Sequence, residues 1–310
     1  MPPAPEIAIA TSIPPKMTRL QNGEDIGERY QADCVASWIE AGLKVYSVNV
    51  PEEIPALAGR FPQVEFIPTD RDARAVAGRK MPFIDDLLLA LARQDRPIVG
   101  IVNADICLET GRDWAGAIAA AVPSSLLMGP RVDVETWPNG AGEAVVSGTV
   151  LREGFDLFFF EKTTIVDCLA AKGADRFFSI GVPAWDYWLP VALALKGYQL
   201  VILDEPSAAH FRHPTNWDSA LWEYMTEQLA ECVTDHGVES VLERYPAFNP
   251  MISWAQKLGR SAAREIEQRA DQCSLDDSGK TIPSRYGVEL ALFSQVVLGT
   301  LRAAGRGRSP

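Results

Sequence analysis

The sequence predicts an α/β fold: a mixed sheet flanked by helices, with a helical extension at the carboxyl end. Three observations carry this prediction. Residues 97–106, Pro-Ile-Val-Gly-Ile-Val-Asn-Ala-Asp-Ile, form an apolar, β-branched run of strand length that ends in Asn103 and Asp105, the pattern of a central strand covered on both faces. Three strand-then-helix alternations precede it, the arrangement that builds a parallel sheet with right-handed crossovers. After Asp105 the alternation gives way to short strands and helices in mixed order, the mark of an antiparallel extension.

Taken in order, residues 7–13 read as the first strand, stopped by Pro14-Pro15, and a helix follows over 26–41 until Gly42 ends it. Residues 43–50 alternate as a second strand, 51–60 make a short helical link, and 64–68 form a third strand running into Thr69-Asp70-Arg71-Asp72. Apolar residues at helical spacing over 81–93 lead to the central strand. Beyond it come a helix over 114–121, a strand over 125–128, a turn at Pro138-Asn139-Gly140-Ala141-Gly142, two strands over 145–150 and 155–160, and a helix over 165–171. Asp186 reads as the N-cap of a helix over 187–196 that Gly197 stops, and 198–203 as a strand. Helices dominate from Trp217. The last, over 286–303, is apolar on one side and either packs on the domain or pairs with a second copy of the chain. The expected division is a domain over 1–217, a helical extension over 218–303 and a disordered tail over 304–310.

Bulk properties narrow the function. At 310 residues and 47% hydrophobic, the chain can bury a sizeable core. Lys plus Arg number 29 against 41 Asp plus Glu, a formal charge of -12 that disfavours nucleic acid and anionic membranes. Five scattered cysteines without a CxxC pair suggest neither a disulfide framework nor a zinc site, which points to a reducing cytoplasm. Neither a signal peptide nor a membrane span is expected, since no apolar run reaches about 18 residues.

Two groups invite chemistry. Of the three histidines, His210 and His213 stand together just past a strand. Residues three apart face opposite sides of an extended segment, so only one reaches a metal unless the chain turns; the plain alternative is a surface loop capping a helix near Asn216. Asp186 is flanked by Trp185, Tyr187 and Trp188. Desolvation by those rings raises a carboxyl pKa and suits it to act as a base, whereas a helix N-terminus lowers it, so the sign is open.

The order Asn103-Ala104-Asp105, then Trp185-Asp186, then Lys196-Gly197-Tyr198, a strand and His210 resembles the GT-A class of glycosyltransferases, closest in motif order to family 2-like inverting enzymes, over 7–217. The resemblance implies a Rossmann-related GT-A-like domain that moves a sugar from a nucleotide-diphosphate sugar to an acceptor hydroxyl, with glycan or small-molecule acceptors. It implies that Asp105 and His210 hold a divalent Mn²⁺ or Mg²⁺ ion, with Asn103 standing where a first Asp is usual. It implies that Asp186 is the base, with Trp185 in place of the usual Glu. By the same resemblance Thr11, Ser12, Ile13 and Asp70 line the nucleotide base and Arg79 or Lys80 meets phosphate, although solvated helix-start residues explain that pair too. Asp156, Trp185, His213 and Trp217 fall to the acceptor region or beside the ion, against a plain reading of Asp156 and Trp217 as core. The rival from another class is an inactive GT-A-like protein that binds a glycan or a partner. A dehydrogenase is disfavoured because Ser12-Ile13-Pro14-Pro15 offers no Gly-x-Gly-x-x-Gly.

Overall fold

The computed structural model describes residues 6–138, 149–172, 177–203 and 208–213, with Leu221, Tyr224, Met225, Gln228, Leu229 and Cys232 beyond them. The turn expected at 139–142, Asn216, Trp217, the helix over 286–303 and the tail lie outside the described residues.

The chain opens with β1 (Ile7–Thr11), then a small hairpin of β2 (Leu20–Gln21) and β3 (Glu24–Asp25), then α1 (Gly27–Glu40). Gly42, at φ 77°, stops α1 in the left-handed region that glycine enters without strain. β4 (Leu43–Asn49), α2 (Ile54–Arg60), β5 (Glu65–Pro68), α3 (Arg74–Ala77), α4 (Ile84–Ala92) and β6 (Ile98–Val102) complete the expected strand–helix series. β1, β4, β5 and β6 are mutually parallel in the order β5-β4-β1-β6. β4 departs from expectation: every residue but Lys44 is buried, so both faces are covered and a half-exposed alternation is absent from it.

The second half is β7 (Cys107–Leu108), α5 (Trp114–Ala121), β8 (Ser125–Val134), β9 (Thr149–Glu161), α6 (Ile165–Lys172), α7 (Trp185–Leu195), β10 (Gln199–Ile202) and β11 (Ala208–Phe211). Three expectations need correction. The strand at 125–128 continues to Val134, because an irregularity between Met128 and Arg131 lets its first part pair with β10 and its second with β11. The two strands expected around 145–160 are, from Thr149 on, one strand that pairs antiparallel to both β6 and β8. His210 lies on β11 and is buried, not in a surface loop.

β9 therefore joins the parallel half to a second group of strands running the same way, and the described strands other than the hairpin form one mixed sheet. The carboxyl ends of β6, β8 and β11 and the beginning of β9 meet at a single edge. Strand alternation divides the core in two. Ala8, Ala10, Val99, Ile101, Phe158 and Phe160 face the layer built on α4, α6 and α7. Ile7, Ile9, Val102, Leu157 and Phe159 face the layer of α1, α2 and α5. Helical residues Met225, Leu229 and Cys232 also bury in the first layer. No helix among the described residues is long and apolar enough to cross a membrane.

Gly100 sits where β9 leaves no room for a side chain on β6. A Cβ there would lie 2.5 Å from the Phe158 carbonyl oxygen and 2.6 Å from the Phe159 ring. Backbone cannot give way as a flexible side chain can, so Gly100→Ala is expected to destabilise the fold by about 1–3 kcal/mol, read as a lower midpoint in chemical denaturation.

Candidate functional site

The polar cluster at the sheet's carboxyl edge is organised by Asp105, in the turn just past β6. Its backbone is gripped from α1. The Tyr30 hydroxyl donates to the Asp105 carbonyl at 2.5 Å and accepts from the Phe211 N–H at 2.8 Å, while the Trp38 indole donates to the Ile106 carbonyl at 2.8 Å. One phenol thus ties the β6 turn to β11.

Three groups converge on a single Asp105 oxygen. Arg19 donates to Oδ2 at 2.7 Å, the His210 Nε2 stands 3.4 Å from it and the His213 Nε2 3.3 Å. Both histidines reach it because the strand ends at Phe211 and the chain turns through Arg212; the two rings meet edge-on at 5.1 Å. Asp133, opposite His210 in the register, faces its Nδ1 at 2.8 Å. Burial opposes charge on Asp105, but His210, His213 and Arg19 outweigh it and hold the carboxyl well below the usual range. His210 is buried too, yet Asp105 and Asp133 raise its pKa above the ordinary value. Among the described residues, Asp105, His210 and His213 form a group whose ligand atoms all lie within 4.8 Å of one another.

A second set adjoins the first through Arg131. Its guanidinium bonds to Asp133 through Nε at 3.0 Å and to the buried Asp156 carboxylate. Asn103 donates its backbone N–H to the Asp156 carbonyl at 2.8 Å and its side-chain amide to the Asp156 carboxylate. The amide expected beside the ion is thereby engaged with β9. Removing Arg131 leaves two carboxylates without their shared cation, so Arg131→Met is expected to cost about 3–5 kcal/mol in chemical denaturation, with Arg131→Lys recovering part of the loss.

Asp186 is half-buried in the first turn of α7. The helix begins two residues earlier than expected, with Ala184 as N-cap, so Asp186 is not the cap. The sign left open by the sequence is decided for desolvation. Burial and the neighbouring Asp156 charge push the carboxyl up to about 8 against the weaker pull of helix N–H groups and Arg131. Asp105, His210 and Asp186 are thus linked through Arg131, whose charge is felt at all three.

Other expected residues are placed as follows. Thr11 ends β1 with a fully buried hydroxyl that has no hydrogen-bond partner among the described atoms. Ser12 is half-buried beside it. Ile13 belongs to the core, its N–H donating to the Ser47 hydroxyl at 2.9 Å. Asp70 is exposed past β5, Arg79 is half-buried, and Lys80 pairs with Glu52 at 3.1 Å. The Trp185 ring is in the core, edge-on to Phe158 at 5.4 Å.

Sequence reasoning missed Arg19, Tyr30, Arg131 and Asp133. A signal for the last two is present: Arg131 and Asp133 are two apart on a strand and so share a face, but the apolar pattern ends that strand at 128. Arg19 and Tyr30 carry no local signal.

The described residues form a mixed α/β sheet flanked by helices, with this cluster at its carboxyl edge, the architecture expected from the resemblance noted in the sequence. No family model and no curated protein matches the chain. Solved structures do. A mannosyltransferase, PcManGT from Pyrobaculum calidifontis in complex with GDP-Man and Mn²⁺, is 14% identical with a TM-score of 0.44, covering 97% of this chain and 86% of that one. TarS 1-349 from S. aureus is 10% identical with a TM-score of 0.42, covering 89% of this chain and 95% of that one. The same TarS segment in complex with UDP gives 9% and 0.41, covering 87% and 93%.

Proposed function

We propose that this chain is a metal-dependent, inverting glycosyltransferase that moves a sugar from a nucleotide-diphosphate sugar to an acceptor hydroxyl. The observation that carries the reading is the Asp105–His210–His213 group at the sheet's carboxyl edge, supported by Asp186, a carboxyl pushed up to about 8 and near enough to feel the Asp156 and Arg131 charges. Open α/β sheets place ligands at that edge.

The donor set fits a divalent ion. One carboxylate oxygen and two imidazole nitrogens, within 4.8 Å of one another, match the reach of a single ion. Two nitrogens beside one oxygen favour Mn²⁺ over Mg²⁺, whose ligands are by preference all oxygen. When bound, such an ion supplies charge neutralisation to a departing diphosphate. The protein's own groups do the rest. Asp133 orients His210 by holding Nδ1, leaving Nε2 toward Asp105. Asp186 takes the proton from the acceptor hydroxyl as the new bond forms. Four described cysteines, Cys34, Cys107, Cys168 and Cys232, are free, which supports a reducing, cytoplasmic setting.

The test is calorimetry and turnover with a panel of UDP- and GDP-sugars, with and without Mn²⁺. Donor binding that requires Mn²⁺, accompanied by slow donor hydrolysis, is expected. Binding without hydrolysis or transfer to any acceptor supports the non-catalytic rival, and absence of binding overturns both.

A further inference from the structure

The Asp105 oxygen that faces both histidines already holds a cation of the protein's own. Arg19 donates to Oδ2 at 2.7 Å, and its side chain is only 10% exposed. Its other nitrogens are poorly used: one donates to the carbonyl of the adjacent Thr18 at 2.9 Å, and the buried Nε has no partner among the described atoms. Its backbone, by contrast, is pinned. The Arg19 N–H donates to the Asp25 carboxylate at 2.9 Å and its carbonyl accepts from the Ile26 N–H at 2.8 Å. Just upstream, the Met17 carbonyl presses so closely on α1 that a Cβ on Gly27 would lie 1.9 Å from it. Any displacement of the guanidinium must therefore come from the side-chain torsions, with the main chain held in place.

We infer that Arg19 is a resident counter-ion of Asp105, one that yields this oxygen to an incoming divalent ion and turns its guanidinium onto the donor's diphosphate. The inference rests on the proposed metal site. A guanidinium and a divalent ion repel one another on one carboxylate oxygen, so the two occupancies compete. The displaced guanidinium is a desolvated, planar fork anchored beside the ion's position, the geometry that pairs with two phosphate oxygens at once. Before binding it neutralises Asp105; afterwards it adds to the charge that meets the donor.

Competition followed by transfer predicts effects of opposite sign. In titration calorimetry of the full chain, Arg19→Met is expected to bind Mn²⁺ about tenfold tighter, because a competing positive charge is gone. With Mn²⁺ saturating, the same variant is expected to bind UDP or GDP about tenfold or more weakly, because a charge-assisted bond to phosphate is lost. Loss of structure would weaken both, so opposed shifts cannot come from damage. If Arg19→Met does not fold, Arg19→Lys decides: its single-pointed ammonium holds Asp105 less well and should give the same two shifts at smaller size. The inference is overturned if Mn²⁺ affinity is unchanged or weaker, or if diphosphate affinity is unchanged, while the wild-type chain binds Mn²⁺ through Asp105. If neither wild type nor Arg19→Met binds Mn²⁺, the metal site itself fails and the inference falls with it; Mn²⁺ binding by Arg19→Met alone supports displacement.

Discussion

Asp105→Ala is expected to weaken Mn²⁺ binding at least about a hundredfold, and Mn²⁺-dependent donor binding with it. Even partners that merely orient a metal's ligands are worth about 10–100-fold, so the carboxylate itself stands at the upper end or beyond. Asp105 is the one acidic member of the ligand group and the point on which His210, His213 and Arg19 all bear. Asp105→Asn keeps the shape without the charge and should fail almost as completely. Unfolding with and without Mn²⁺ gives the control, since an ion that binds only the folded chain raises its stability and should do so in wild type but not in either variant. The same carboxylate also governs acid stability. Its folded pKa is held well below the ordinary 3.8, so its contribution is full above that value and is lost as pH falls through the folded one. Asp105→Ala should remove that part of the acid-unfolding slope.

Asp186→Asn is the second large effect. A positioned base contributes about 10²–10⁴-fold, so transfer or donor hydrolysis should fall by that factor while donor affinity stays within a few-fold of wild type. A carboxyl raised to about 8 is mostly protonated at neutral pH and becomes a competent base only as pH rises. Wild-type rate should therefore climb with pH and level off above about 8, and Asp186→Asn should lose that limb. Stability moves the other way. Because the folded chain holds this proton more tightly than the unfolded one between the ordinary 3.8 and about 8, stability declines as pH rises through that window. Asp186→Asn carries no proton to lose and should show a flatter profile. A rate that is flat from neutral to alkaline pH in the wild type would remove Asp186 from the role of base.

The features legible in the sequence were those with local causes. The apolar run before Asn103, the helix stop at Gly42 and the strand–helix series of the first hundred residues each announce themselves within a few positions of chain. β9 did not, because Arg152-Glu153-Gly154 interrupts its apolar pattern and the strand is held by pairing to β6 and β8 rather than by its own composition. The histidine pair was misplaced for a similar reason. Whether residues three apart face together depends on where the strand ends, and β11 ends at Phe211, whose partner Val134 is also the last residue of β8. The start of α7 was shifted by two residues, enough to move Asp186 from cap to first turn.

By itself the sequence determined the α/β architecture and pointed to Asp105, Asp186 and His210 as its unusual polar groups, since strand and helix periodicities are short-range properties. The sign of the Asp186 shift, the sharing of one oxygen by two histidines and an arginine, and the roles of Tyr30 and Arg131 were decided only by tertiary structure. Tyr30 reaches its two partners across 75 and 181 positions of chain, and Arg19 reaches Asp105 across 86. Desolvation and charge pairing act through space, and no pattern along a chain records which distant segments the sheet will bring together.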